Sequence, residues 1–290
     1  MTNILYDIEN LQCSYIKSEH ELERKVVLEI AKLQIPRGKR VFIVGESGIG
    51  KSTILETLGM MNNTIVPNPK CRFIFYTSDE SEPTDMQDLW RGARNRLADF
   101  RLKNFSFIFQ STNLMRNFTA LENVAFTRML QGYTSFSCMA RTRKTLVDLG
   151  LEHISDNRMA VELSGGQQQR LAFARAILPD FTVLFGDEPT GNLDAETAYR
   201  VMEVLNQKLD EHKGASAIIV SHDMHLAITF ADIIIKIKKC MRSQTESHGE
   251  IQTYGFIDES CVYHRSESHI WSNGTESKGE AEFEIFLRTR

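Results

Sequence analysis

Three glycines, a lysine and three hydroxyls follow directly on an apolar run, where VFIV at residues 41–44 leads into GESGIGKST at 45–53. Gly45, Gly48 and Gly50 lack side chains, so the backbone can turn tightly and converge its N–H groups on one anion. Lys51 adds a positive charge at that point, and Ser52 offers a hydroxyl of the type that ligates magnesium. ILETLGMM then begins a helix whose positive end faces the anion. The spacing G-x-x-x-x-G-K-S between a strand and a helix is that of a phosphate-binding loop in full, and a plain glycine turn with a solvated lysine has no need of so many fixed positions. The implied chemistry is nucleoside triphosphate binding by Gly45, Glu46, Ser47, Gly48, Ile49, Gly50, Lys51, Ser52 and Thr53. This motif leaves open a kinase, a GTPase, a helicase or a transport motor.

Further chemistry lies in the second half of the chain. In VLFGDEP the apolar residues Val183, Leu184 and Phe185 deliver Asp187 and Glu188 to a strand's carboxyl end, where open α/β sheets bind their ligands. Adjacent carboxylates there can divide the work, Asp187 on a magnesium ion and Glu188 on the water that attacks a γ-phosphate. In LSGGQQQR at 163–170, Ser164, Gly165 and Gly166 form a second backbone anion cradle at a helix start. An ordinary helix cap would not need two glycines and a glutamine run.

Strands alternating with helices must position these groups. ILYDIENLQCSYI, VVLEIAKLQI and VFIV, the last after the turn Pro36-Arg37-Gly38, are predicted strands, as are KCRFIFYT, FSFIFQ, TVLFGD and SAIIVSHD. MQDLWRGARNRLADFRL, ALENVAFTRML, MARTRKTLVDLGL, LSGGQQQRLAFARAIL and ETAYRVMEVLNQKLDEH carry helical spacing, and SDESEPTDM is an exposed acidic loop. The predicted fold class is α/β, with a mostly parallel sheet and helices on its faces. At 42% hydrophobic and 25% charged residues the composition is that of an ordinary globular protein. A net charge of −4 argues against a nucleic-acid-seeking surface, and no nucleic-acid partner is expected. The five scattered cysteines form no C-x-x-C pair, so neither a disulfide framework nor a zinc site is suggested. MTNILYDIENLQCSY does not read as a secretion signal, and no apolar stretch is long enough to span a bilayer.

Taken together, GESGIGKST, Gln110, LSGGQQQR, VLFGDEPTGNLD and His222 resemble the ATP-binding cassette (ABC) ATPases. FSFIFQSTNLMRNFTALENV and EPTGNLD look particularly like the subgroup that powers lipoprotein release and macrolide export or acts in bacterial division. The resemblance covers roughly residues 4–238 and implies a P-loop NTPase of ABC ATPase type, with an antiparallel β-subdomain and a helical signature subdomain. It divides the chain into an ATPase domain at 1–240 and an extension at 241–290. Its implied substrate is ATP with Mg2+. Lys51 and residues 46–53 would hold the β- and γ-phosphates, Ser52 and Gln110 would ligate magnesium with Asp187 behind them, and Tyr15 would stack on adenine. Glu188 would be the catalytic base or water-polarising carboxylate, with His222 on the γ-phosphate. In this family the signature turn completes the site of a second copy, so the Ser164, Gly165, Gly166 and Gln167 of one chain would cover the ATP of its twin, and Asn192 to Asp194 would cross that interface. The other implied partner is a membrane permease docking beside the glutamine loop, which would hold the chain in the cytoplasm at the inner face of the cell membrane. Leu114, Met115, Phe118 and Leu121 belong either to that groove or to the core.

The pattern departs from the family in two places. MNNTIVPNPKCRFIFYTSDESEPTD replaces the usual Pro-Thr-Ser-Gly-like turn, so the β-subdomain that supports adenine is expected to be remodelled. The extension holds nine acidic against five basic residues, and GEIQTYGFI, CVYH and AEFEIFLRT suggest short strands, either as a small β appendage or within a partly ordered tail. Rival readings are a soluble ABC ATPase of repair or ribosome type and a non-transporting mechanotransmission or regulatory module. Residues 54–162 hold neither the coiled coil nor the zinc motif of repair members, and one phosphate loop with one signature argues against the two-cassette ribosomal type.

Overall fold

The structure, a computed structural model, describes residues 3–18, 21–77, 82–211, 214–243 and 251–289. Two compact units divide them, one built from Met1–Leu97 with Val220–Arg290, the other from Ala98–Ile219. Ser78–Ser81 of the expected acidic loop and residues 244–250 of the extension lie outside the described residues.

The first unit opens with strands β1 (Ile4–Ser18) and β2 (Glu21–Pro36), an antiparallel pair in the register Leu11↔Ile30 and Cys13↔Leu28. β3 (Arg40–Val44) follows, and α1 (Lys51–Leu58) is separated from it only by the phosphate loop. The substituted segment does more than connect. Its backbone bonds to β1, Ser14 N to Thr64 O at 2.7 Å and Val66 N to Gln12 O at 2.8 Å. β4 (Arg72–Phe75) then pairs antiparallel with β1, and β5 (Thr84–Asp85) with β4. Tyr6, fully buried, packs 4.9 Å from Phe75 and donates from its hydroxyl to Leu58 O at 2.9 Å, joining this sheet to the end of α1. The segment expected to be helical over 86–102 splits into α2 (Met86–Arg91), capped by Asp85, and α3 (Arg94–Asn104), with Gly92 ending α2.

In the second unit an aromatic strand, β6 (Phe105–Ile108), precedes three helices, α4 (Ala120–Leu130), α5 (Ser135–Asp148) and α6 (Gly165–Ile177). β7 (Val183–Asp187) runs parallel to β6, with Phe107 stacked on Phe185 at 5.2 Å and Phe105 edge-on to it at 5.3 Å. α7 (Ala195–Glu211) and β8 (Ser216–Val220) complete this unit, with every residue of β8 buried, as a strand covered on both faces requires.

Back in the first unit, α8 (Met224–Phe230) leads to β9 (Ile233–Lys236), which runs parallel to β3 in the register Val41↔Ile233 through Val44↔Lys236. β10 (Lys238–Ser243) and β11 (Ile251–Ile257) form an antiparallel pair, and β11 joins β2 in parallel, giving a six-stranded sheet in the order β10-β11-β2-β1-β4-β5. β12 (Val262–Arg265) adds antiparallel to the free side of β9, followed by β13 (Ile270–Ser272) and β14 (Ser277–Gly279). The extension is thus threaded through both sheets of this unit. Its last segment, AEFEIFLRT, is not the expected strand but helix α9 (Glu280–Arg288). Phe283 and Leu287, one turn apart, are its buried residues, and Phe283 stacks on Trp271 at 5.0 Å. No helix among the described residues is long and apolar enough to cross a membrane.

Candidate functional site

The first unit builds the phosphate loop. Val41–Val44 are at most 1% exposed, which fixes the end of β3 in the core and projects the loop from its carboxyl end. Arg40 locks the start of that strand to β9, its guanidinium spanning both Asp232 oxygens at 2.8 and 2.9 Å and its backbone N–H adding a third bond at 2.8 Å. Burial pushes the Asp232 carboxyl up, but the bonds and charge from Arg40 outweigh it and hold it below the ordinary carboxylate range. Gly50 takes φ of 100° as it turns the loop into α1, and a Cβ there would stand 3.2 Å from Val27 O. Lys51 is 6% exposed, and its ammonium donates to Gly45 O at 2.9 Å and Glu46 O at 2.8 Å. The cation is thereby held inside the loop whose N–H groups it complements. Ser52 faces solvent at the first turn, and buried Thr53 bonds Tyr15 Oη at 3.4 Å. This tether keeps the Tyr15 ring beside the loop with 43% of the residue exposed. His222 is exposed in the segment just after β8, where Ser221 N reaches Ile43 O at 3.4 Å and Asp223 caps α8 through the N–H groups of His225 and Leu226.

The second unit gathers the acidic and signature residues. Asp187 and Glu188 are half-buried where β7 ends, and beyond the register Ile108↔Gly186 they leave the same end of the β6–β7 pair as exposed Gln110. Glu188 adopts φ of 49°, a left-handed conformation that costs a non-glycine residue about 1–2 kcal/mol. The turn after it is closed by Gly191 N to Glu188 O at 3.1 Å. Ser164 caps α6 reciprocally with Gln167, accepting from Gln167 N at 3.4 Å while its own N–H donates to Gln167 Oε1 at 3.0 Å. Ser164 and Gly165 are exposed, and a Cβ built on Gly165 would touch nothing. Gly166 lies against Leu193, where a Cβ would meet Leu193 Cδ2 at 3.9 Å. Asp194 caps α7, accepting from Thr197 N at 2.9 Å and Thr197 Oγ1 at 2.7 Å, and these bonds hold its carboxyl below the ordinary range.

Each unit thus assembles its own set: the loop, Tyr15 and His222 in the first, and Gln110, Asp187, Glu188, Ser164–Gln167 and Asn192–Asp194 in the second. Of the four apolar residues after Gln110, Leu121 is buried at 7% exposure and belongs to the core, while Phe118 packs edge-on to Phe126 at 5.6 Å. Leu114 lines a cleft of 550 Å³ shared with Arg116, Val161 and Gln168.

Sequence reasoning missed the side chains that hold these groups in place. Asn123, fully buried, accepts from Met115 N at 2.8 Å and donates to the carbonyls of Met115 and Thr119 at 3.0 Å, clamping the segment after Gln110 onto α4. Arg175 grips the same segment from α6, at Asn113 O and Thr112 O. Gln169, also fully buried, donates to Pro189 O at 2.8 Å and so ties the signature helix to the residue after Glu188. The available signal was a polar residue in the apolar stripe of its helix, as with Asn in ALENV.

The sequence model of the ABC transporter family matches residues 28–191. The chain is 36% identical over 230 residues to the lipoprotein-releasing system ATP-binding protein LolD of Idiomarina loihiensis, covering 78% of this chain and 92% of that protein. To the macrolide export ATP-binding/permease protein MacB of Aggregatibacter actinomycetemcomitans it is 37% identical over 212 residues, spanning 73% of this chain but 30% of that protein. Among solved structures, a dimeric post-hydrolysis state of the ATP-binding cassette MJ0796 with ADP and Pi superposes with a TM-score of 0.68 at 30% identity, covering 81% of this chain and 94% of that one.

Proposed function

The chain belongs to the ABC transporter family, and from that premise we propose that it hydrolyses ATP between two copies of itself and passes the resulting motion to a membrane permease. Its fold is that of the ABC ATPase cassettes, and its activity is ATP hydrolysis. The observation that carries the proposal is the phosphate loop, with Lys51 buried in it and held by the carbonyls of Gly45 and Glu46. Lys51 and the N–H groups of residues 46–53 bind the β- and γ-phosphates, and Tyr15, tethered to Thr53, lies under adenine.

Ser52, Gln110 and Asp187 offer hydroxyl, amide and carboxylate oxygens, the hard donors that suit Mg2+, and these would hold it. When bound, the ion neutralises charge developing on the transferred phosphoryl group. Glu188 orients and polarises the attacking water, and its left-handed backbone fits a side chain held for chemistry rather than for stability. His222 contacts the γ-phosphate. The exposed Ser164–Gly165 corner covers the twin's nucleotide, and Asn192–Asp194 line the contact between copies.

ATP binds the closed pair better than the open one, and loss of the γ-phosphate releases it. The 550 Å³ cleft beside the glutamine loop is where a short cytoplasmic helix of the permease would seat, with Leu114 and Val161, the latter 52% exposed, as its apolar contacts. The chain then works at the cytoplasmic face of the membrane, in lipoprotein release or export of the kind carried out by its relatives. The Glu188→Gln variant, given saturating ATP and magnesium, should elute as a dimer in size-exclusion chromatography. A monomer under those conditions contradicts the proposal.

A further inference from the structure

A cavity of 610 Å³, within the range of small-molecule sites, lies beside the phosphate loop, entirely inside the first unit. Ile49, Ile237, Tyr263, Phe286 and Leu287 contribute its apolar walls. Three of these come from β12 and α9, beyond the region matched to the ABC transporter family, so the nucleotide chemistry gives the cavity no role.

Its charges indicate what it would take. Lys238 pairs with Asp258 at 3.1 Å, Lys239 with Glu46 at 2.7 Å and Arg288 with Glu284 at 2.6 Å, so those cations at its rim are already neutralised. Lys236 differs. Its ammonium donates to two neutral oxygens, Phe286 O at 2.6 Å and Thr289 O at 3.1 Å, and lies 3.9 Å from the centre of the Phe286 ring. Those two bonds use two of its three N–H donors, and no carboxylate among the described residues lies within ion-pair distance. Burial lowers its pKa, with the charge of Glu276 partly offsetting, as befits a cation lacking a close counter-ion.

We infer that this cavity binds a small amphipathic monoanion, a carboxylate on an apolar body, with the acid group on Lys236 and the body against Phe286, Leu287 and Ile237. The same occupancy bears on the nucleotide site through backbone. Gly45, Glu46 and Ile49 of the phosphate loop line the cavity, and Lys236 is in register with Val44, the last residue before that loop. Behind the loop, β11 approaches so closely that a Cβ on Gly255 would stand 2.2 Å from Ile49 O and 2.9 Å from Ile237 Cγ2. The loop therefore has little room to move independently of the extension, and a ligand that shifts Ile237 or Glu46 changes nucleotide affinity by linkage. This coupling, unlike the binding itself, rests on the nucleotide reading above.

The test is a fluorescence titration of the full chain with anilinonaphthalene sulfonate, an aromatic monoanion, followed by competition with decanoate and with decanol. One probe should bind per chain, and decanoate should displace it at about one tenth the concentration that decanol needs, a charge preference of roughly tenfold. Lys236→Met should abolish that preference and Lys236→Arg should keep it. Equal displacement by the acid and the alcohol overturns the assignment, as does an unchanged preference in a folded Lys236→Met variant. If that variant does not fold, the comparison on the wild-type chain decides. Saturating decanoate should shift the dissociation constant for fluorescent mant-ADP at least about threefold, and no shift overturns the coupling. A wild-type chain that binds no mant-ADP contradicts the nucleotide reading, and the coupling with it, while the competition still decides whether the cavity takes an anion.

Discussion

Glu188, the residue proposed to polarise the attacking water, has a strained backbone at φ of 49°. Asparagine tolerates the left-handed region better than glutamate does. Glu188→Asn should therefore stabilise the fold by about 0.5–1 kcal/mol, read as a rise of roughly 1–3 °C in thermal midpoint, while lowering ATP turnover by about 10²–10⁴-fold. Lys51 gives the complementary case. Its ammonium holds the loop and is proposed to bind the phosphates, so Lys51→Ala should lose nucleotide binding in a mant-ATP titration, and retained full affinity would remove the loop assignment. Both residues were legible because their motifs fix several neighbours at once. Gln169 and Asn123 were not, since their partners, Pro189 and Met115, are set by tertiary packing rather than by spacing.

Among the elements, β3 and β9 carry the loop, and their joint is the Arg40–Asp232 pair. Asp232 has a folded pKa below the unfolded value of about 3.9, so its contribution is present above that pH and is lost as pH falls through the folded pKa. Asp232→Asn should cost about 1–2 kcal/mol at neutral pH, a figure reduced for the 23% exposure of the carboxylate side chain. The gap between variant and wild type in urea melts should close below about pH 4. β11 supports the loop from behind. Gly255→Ala places a methyl against Ile49 O and should cost about 1–3 kcal/mol of stability as overpacking, read in urea melts, and by displacing the loop it should also lower ATP affinity about tenfold with circular dichroism retained. Most strands and helices could be read from alternation and from 3.6-residue spacing. The last one could not, because AEFEIFLRT offers apolar residues at both periods, and packing of Phe283 on Trp271 decides for the helix. Nor does local sequence indicate that GEIQTYGFI pairs with a strand more than two hundred residues earlier, as Gly255↔Leu28 does.

For the whole molecule, the proposed function places catalysis in a pair of chains. Ser164 and Gly165 are exposed, with open space where a Gly165 side chain would stand, and the capping box spends the Ser164 backbone N–H on Gln167. Under the proposed function a second copy covers this corner, and the MJ0796 cassette with ADP and Pi is a structural neighbour that is dimeric. Specific ATPase activity of the wild-type chain, measured over a hundredfold or wider dilution series at saturating ATP and magnesium, tests this most directly. Activity per chain should fall steeply as dilution separates the pair, and activity per chain that stays constant down to the lowest concentration would contradict it.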